Sequence, residues 1–205
     1  MQFELSIING KTVSDVIRAD PEKCIEVVRA AYLAHANGWS VNPDSYFLRF
    51  SDKPDCRIIA LPAYLGDGFH VAGLKWIASF PGNVQRGFPR ASAVLVLNRH
   101  DTGYPFAILE SSIISAARTA ASAVLAAYWL SGRSRRAHSL GIVGTGFIAR
   151  YVYEFLVDTG MGDRGSTVTR PVASREREIQ KHRVPPRAAP QRHDCSRGGR
   201  TCEGL

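Results

Sequence analysis

Three cationic side chains lie in apolar surroundings, where a charge needs a partner. Arg49 stands in YFLRF, Lys75 in GLKWIASF and Arg118 in an alanine-rich run. Burying a charge is costly unless a partner meets it. For each residue taken alone, a structural explanation, either snorkelling or an ion pair with Asp or Glu, is as good as a ligand-binding role. Three such cations without matching buried acids favour an anionic ligand, and a carboxylate held by two or three of them is the simplest candidate.

A glycine turn further along the chain is typical of a phosphate-binding loop. The segment LGIVGTGFIAR consists of an apolar strand, a GxGxxA turn and the opening of a helix. Gly144 allows the tight turn, Gly146 lets the backbone approach a pyrophosphate, and Ala149 lets the helix pack close to the strand. The free N–H groups of the helix would face the phosphates. This pattern predicts the start of a Rossmann dinucleotide-binding domain.

The second half of such a unit is a strand that ends in an acid, which holds the ribose. The segment STVTRPVASRERE is the candidate, but Pro171 lies in its middle and Glu176 comes late, between arginines. A central strand does not tolerate the missing N–H of proline. We therefore assign no ribose acid, and the catalytic residues stay unknown.

Charge and aromatic content divide the chain near residue 163. Residues 1–163 carry 16 Lys and Arg against 14 Asp and Glu, whereas residues 164–205 carry 10 against 4 and no aromatic residue. The segment 164–205 has too few apolar residues to form a core, so we expect a disordered basic tail. Basic side chains without an aromatic to stack on a base do not predict nucleic-acid binding.

The sequence predicts no metal site, no membrane span and no signal peptide. The four cysteines form no CxxC pair, and the loose grouping of His193, Cys195 and Cys202 is expected by chance. The N-terminus lacks a basic start followed by an apolar core. The apolar run 113–130 contains many small residues, as in a buried helix. We expect a cytoplasmic protein with reduced thiols.

Helix and strand signals predict an α/β fold. Helices are predicted over 20–37, with Asp20 as the cap, and over 111–131, ended by Gly132. The strands predicted between them are 45–50, 57–65, 70–80, 91–98 and 104–110. The predicted organisation is an N-terminal α+β domain over 1–132, the first β–α unit of a Rossmann domain over 133–163, and an aberrant or disordered tail over 164–205.

A resemblance to the ornithine cyclodeaminase/mu-crystallin family covers roughly residues 1–160. It is carried by Lys75 before Pro81-x-Asn83, by TGYP at 102–105, by SAARTAASA at 115–123 and by GIVGTGFIAR after them. The sequence is most similar to the branch that makes 2,3-diaminopropionate for siderophores and peptide antibiotics. The resemblance implies a subunit with a substrate and dimerisation domain, an NAD-binding Rossmann domain and a homodimeric assembly.

The resemblance also implies roles for individual residues. Arg49 and Lys75 match positions that hold the α-carboxylate of the substrate, and Arg118 matches one near both the substrate and the cofactor phosphate. Relatives contact the cofactor at the positions of Arg90 and Thr119. The cofactor site that we expect consists of Arg90, Arg118, Thr119, Gly144, Gly146, Phe147, Ile148 and Ala149.

The chemistry implied is hydride transfer from the Cα of an amino acid to NAD. In the diaminopropionate branch, N-(2-amino-2-carboxyethyl)-L-glutamate is oxidised to an imine, which water splits into 2,3-diaminopropionate and 2-oxoglutarate. Cyclodeamination of ornithine to proline and ammonia is an alternative. Ala60 stands where ornithine-using relatives carry an acid, which argues against ornithine, and Arg90 suits a more negative substrate or cofactor.

The chain departs from the family towards its C-terminus. The general-base Asp, the ribose acid and the closing helices of the family have no match here. An Arg-, Pro- and Gly-rich tail is typical of high-GC coding sequence read in another frame. We therefore predict a frameshift or truncation near residues 162–170 and an inactive chain. Two hypotheses of a different class stay open, namely a non-catalytic binding or dimerisation protein and a misassembled product without a stable fold.

Overall fold

Alternating apolar and β-branched residues form one mixed sheet at the centre of the protein. The computed structural model describes residues 4–135, 140–144 and 146–161, and the backbone of 167–169. The strands of this sheet are β1 (Ser6–Ile8), β2 (Ser40–Val41), β3 (Tyr46–Phe50), β4 (Lys53–Leu65), β5 (Val71–Ser79), β6 (Ala91–Arg99) and β7 (Pro105–Glu110). Their order is β1-β7-β6-β5-β4-β2, with β3 also paired to β4. All pairs are antiparallel except β1 with β7.

Helices α1, α2 and α3 begin at side chains that cap their free N–H groups. The helices are α1 (Gly10–Ala19), α2 (Pro21–Ala36), α3 (Ser112–Leu130) and α4 (Phe147–Asp158), and Pro81–Arg86 form a 3₁₀ turn. Asp20 accepts a hydrogen bond from the Lys23 N–H at 2.9 Å, which confirms the predicted cap of α2. At α3 the cap is the carboxylate of Glu110, which accepts hydrogen bonds from the backbone N–H groups of Ser112 and Ile113. The predicted end of α3 is also correct, because Gly132 adopts φ +70° directly after it.

The two faces of the sheet have different surroundings. Helices α1, α2 and α3 each pack against a strand of the sheet. Ala93 and Ala107 are buried on the face that these helices cover, called here the covered face. Trp76 and Val94 lie on the other side, called here the open face, and are exposed by 40% and 41%. Successive residues of a strand alternate between these faces.

A helical core forms where small residues let α3 approach its neighbours. Ala116, Ala117, Ala120 and Ala121 of α3 are buried, and Ala123 is half-buried. The four buried alanines pack with Ile25 of α2 and with a group of buried residues around α4, namely Tyr151, Phe155, Leu156 and Met161. By length and composition α3 could cross a membrane, a test that the core helix of a soluble protein also passes. Its buried alanines favour the core role.

The glycine turn is followed by a parallel strand–helix–strand unit. Strand β8 (Gly141–Val143) leads into α4, and β9 (Thr167–Thr169) pairs in parallel with β8. The backbone of β9 lies inside the segment predicted as tail, so regular structure extends beyond the predicted boundary at residue 163. The β-branched sequence Thr-Val-Thr favours a strand there. Residues 170–205 lie outside the described residues. They include Glu176, the weak candidate for the acid that would hold the ribose.

Candidate functional site

Strand register places three cations on the covered face of the sheet. Arg49 of β3 pairs with Arg57 of β4, which pairs with Ser79 of β5. Lys75 lies four residues before Ser79 on the same strand, opposite Leu61. Because side chains alternate along a strand, Arg49, Arg57 and Lys75 share one face. Arg57 is a cation that the sequence analysis did not single out, although its even spacing from Ile59 and Leu61 was visible.

Lys75 of β5 and Arg118 of α3 influence each other electrostatically, with Lys75 half-buried and Arg118 exposed. The Lys75 side chain is half-buried, and this burial lowers the pKa of its ammonium. The guanidinium of Arg118 lowers the same pKa further. Within residues 4–135, 140–144 and 146–161, no Asp or Glu forms an ion pair with either cation. The described part of the chain therefore gives this pair no counter-charge, which a carboxylate ligand would supply.

Arg49 shares the covered face but lies near the edge of the sheet. Its side chain is exposed, and its guanidinium lies 5.1 Å from the centre of the Phe47 ring. Arg57, its neighbour, is four residues from Leu61 along β4, which corresponds to about 13 Å. Long arginine side chains can cover part of that distance. Convergence of Arg49 with Lys75 and Arg118 on one ligand stays a prediction.

Two further residues predicted to contact the cofactor are Thr119, which lies in α3, and Arg90, which follows the 3₁₀ turn. Thr119 directly follows Arg118, and its hydroxyl donates to the Ser115 carbonyl at 2.7 Å. Its oxygen can still accept a hydrogen bond. Arg90 is exposed, and its carbonyl accepts from the Phe80 N–H at 2.8 Å. Their contact with a cofactor stays a prediction.

The glycine turn has the geometry that a phosphate-binding loop requires. Gly144 adopts φ +110°, which only glycine reaches without strain. Gly146 is the N-cap of α4, and no side chain of the described residues caps the first N–H groups of the helix. Among the described residues, no atom lies within 4 Å of a Cβ placed at Gly144 or Gly146. The free N–H groups and the positive end of the helix dipole suit the pyrophosphate of a dinucleotide.

The first two side chains after the glycine turn are exposed to solvent. Phe147 and Ile148 are exposed by 52% and 48%, whereas Ala149 is half-buried. The Phe147 ring lies 5.0 Å from the ring of Tyr151, one turn along α4. The sequence placed these residues correctly at the beginning of the helix. Their contact with a pyrophosphate stays a prediction.

Ala60 lies away from these cations. It pairs with Tyr46 and with Trp76, and therefore faces the open side of the sheet. Lys75 directly precedes Trp76, the β5 partner of Ala60, and therefore faces the covered side. The absence of an acid at position 60 is therefore no measure of the charge around Lys75 and Arg118.

Comparison with known proteins identifies relatives over the first three quarters of the chain. N-((2S)-2-amino-2-carboxyethyl)-L-glutamate dehydrogenase of Staphylococcus aureus is 34% identical over 152 residues, which are 72% of this chain and 45% of the relative. Alanine dehydrogenase of Archaeoglobus fulgidus is 32% identical over 154 residues, which are 75% of this chain and 45% of the relative. The chain thus spans about half the length of these curated relatives.

Solved structures share the fold. An archaeal alanine dehydrogenase dimer with bound NAD superposes with a TM-score of 0.67 at 25% identity, over 83% of this chain and 57% of its own. The Δ1-pyrroline-2-carboxylate reductase of Thermococcus litoralis, in complex with NADH and L-proline, superposes with a TM-score of 0.70 at 24% identity, over 86% and 53%. The model of one family matches residues 9–160. The chain belongs to the ornithine cyclodeaminase/mu-crystallin family.

Proposed function

We propose that this protein derives from an NAD-dependent oxidoreductase acting on N-(2-amino-2-carboxyethyl)-L-glutamate. The product is an imine that water splits into 2,3-diaminopropionate and 2-oxoglutarate. The 2,3-diaminopropionate would serve as a precursor of siderophores or antibiotics. The observation that carries the proposal is the Lys75–Arg118 pair on the covered face, which has no acidic partner among the described residues. The relative in Staphylococcus aureus that bears this activity in its name supports the choice of substrate.

The residues of this chain would bind and orient both reactants. Lys75 and Arg118 would hold a carboxylate of the substrate through charge-assisted hydrogen bonds. Arg49 and Arg57, on the same face, suit the further carboxylates of a substrate more acidic than ornithine. The turn at Gly144 and Gly146 would hold the pyrophosphate of NAD at the N-terminus of α4. Bound NAD would supply the hydride acceptor.

Binding of the substrate is expected to depend on the cationic pair. Lys75→Ala and Arg118→Ala should each weaken binding of N-(2-amino-2-carboxyethyl)-L-glutamate by about 10- to 150-fold, because a hydrogen bond to a charged group contributes about 1.5–3 kcal/mol. Lys53→Ala is the matched control, since Lys53 is exposed and lies beside Asp52. Isothermal titration calorimetry measures the dissociation constant of this substrate for each of the three variants. Unchanged binding by Lys75→Ala, or tighter binding of ornithine than of this substrate, would contradict the proposal.

A homodimer is the assembly that the open face favours. Tyr46, Ala60, Trp76 and Val94 form one row across four neighbouring strands. Tyr46 is exposed by 72%, and Leu48 beside it on the same face by 47%. A continuous apolar surface of this kind marks an interaction site. A second copy is the occupant that we propose, and the dimer named for the archaeal alanine dehydrogenase structure supports it.

We place the protein in the cytoplasm.

Light scattering coupled to size exclusion tests the dimer. The unmodified chain should elute as a dimer, and Trp76→Glu should elute as a monomer because a carboxylate would be buried without a partner. Val16→Glu is the control, since Val16 is exposed by 68% on α1, away from the open face. A monomeric unmodified chain, or equal loss of dimer in both variants, would rule this interface out.

A further inference from the structure

A cavity of about 200 Å³ lies between α2, the last turns of α3 and the residues that follow α4, and is called here the α2–α3 cavity. Residues three or four apart share one face of a helix. On α2 this face carries Ile25 and Arg29, and on α3 it carries Leu125 and Trp129. The two faces form opposite walls, so both helices would contact a molecule bound between them.

The lining of the α2–α3 cavity is largely apolar and aromatic. Ile25 and Val124 are buried, and the rings of Tyr128 and Trp129 have their centres 5.6 Å apart, edge to face. Buried Met161 lines the side that follows α4. An apolar cavity of about 150 Å³ is large enough for one benzene ring. The size and lining of this cavity therefore suit a single aromatic ring with a small substituent.

The charged side chains around the cavity leave one cation without an acidic partner among the described residues. Glu22 accepts hydrogen bonds from both terminal nitrogens of Arg135, at 2.5 and 3.4 Å. Glu26 is paired with Lys23 at 3.0 Å. Arg29 also lines the cavity, and it forms no ion pair with an Asp or Glu of the described ranges. Because both acids are already paired, the charge that complements this cavity is negative.

We propose that the α2–α3 cavity binds a small aromatic carboxylate, with the ring against Tyr128 and Trp129 and the carboxylate at Arg29. Aromatic rings attract one another in edge-to-face and offset contacts, which favours an aromatic ligand over an alkyl one. The guanidinium can donate two parallel hydrogen bonds to a carboxylate. This site goes beyond the proposed oxidation of an amino acid, whose substrate we assign to Lys75 and Arg118.

The position of the cavity gives the ligand a stabilising effect. The ligand would contact α2, α3 and the chain after α4, and α4 is the helix that follows the glycine turn. A ligand that binds only the folded chain raises its stability by mass action. The bound carboxylate should therefore hold the strand–helix unit with the glycine turn more firmly against α2 and α3, and raise the Tm of the chain.

Calorimetric titration of the full chain with benzoate tests this inference. Benzamide, which has the same ring without the charge, should bind at least about tenfold more weakly than benzoate, because a hydrogen bond to a charged group is the stronger kind. Arg29→Gln should weaken benzoate binding by about tenfold or more for the same reason. Arg86→Gln is the matched control and should bind benzoate unchanged, since Arg86 is also exposed but lies in the 3₁₀ turn. Benzoate should raise the Tm of the unmodified chain and not that of Arg29→Gln.

Two further variants locate the bound benzoate. Leu125→Trp should abolish benzoate binding because the larger side chain would occupy the cavity, with folding checked by circular dichroism. Lys75→Ala should bind benzoate as the unmodified chain does, because Lys75 lies on the sheet and does not line the cavity. Loss of benzoate binding in Lys75→Ala but not in Arg29→Gln would assign the ligand to the sheet and overturn the proposal. So would equal binding of benzoate and benzamide, or no binding of benzoate by the unmodified chain.

Discussion

A polypeptide of these 205 residues is expected to produce no measurable NADH from N-(2-amino-2-carboxyethyl)-L-glutamate or from ornithine. Hydride transfer requires the nicotinamide to lie within reach of the substrate Cα and a base to accept the amine proton. The turn at Gly144 and Gly146 would hold only the pyrophosphate part of the cofactor. The general base and the ribose acid that the family resemblance implies have no match in this sequence. Loss of a general base alone reduces the rate by about 10²- to 10⁴-fold.

Absorbance of NADH, followed with purified and folded chain, measures this activity. The dehydrogenase of Staphylococcus aureus, assayed in parallel, is the positive control for substrate and conditions. Binding of the substrate to this chain is expected even without turnover, since Lys75 and Arg118 belong to the described residues. Turnover at an ordinary enzymatic rate, about 1–10³ per second, would show that the tail completes the cofactor site after all.

Phe155→Ala is expected to lower the free energy of unfolding by about 3–5 kcal/mol. Phe155 is 4% exposed and belongs to the buried cluster that joins α4 to the alanines of α3. Alanine at this position would leave a cavity, because the small side chains of Ala117, Ala120 and Ala121 cannot expand to fill it. A domain is stable by only about 5–15 kcal/mol, so this loss is a large part of the total. Urea unfolding followed by circular dichroism measures it.

Phe147→Ala is the matched control on the same helix. Phe147 is 52% exposed, and its described ring contact is with Tyr151. Its truncation should change the free energy of unfolding by less than about 1 kcal/mol, as for most exposed positions. Equal losses in the two variants would mean that α4 does not anchor on α3 through Phe155.

The sequence predicted most of the local structure because the signals for it are local. The strand runs around β3 to β7 and the alanine-rich α3 were recognised within a few residues of their observed ends. Asp20 and Gly132 marked helix ends because capping and a positive φ depend on one residue and its immediate neighbours. The segments α1, β1 and β2 were missed. Strands as short as β1 and β2 carry little periodicity, and α1 opens with a glycine, a poor helix former.

The sequence also identified the cations and the glycine turn, but only the tertiary structure decided which of them meet. Lys75 and Arg118 lie on different elements, and their proximity depends on how α3 packs on the covered face. Strand register added Arg57 beside Arg49 and placed Ala60 on the open face. Register and helix packing result from many weak contacts between distant segments, which no single stretch of sequence contains. The residues that can bind an anion were therefore predictable from the sequence, whereas the fold decided which of them share a face.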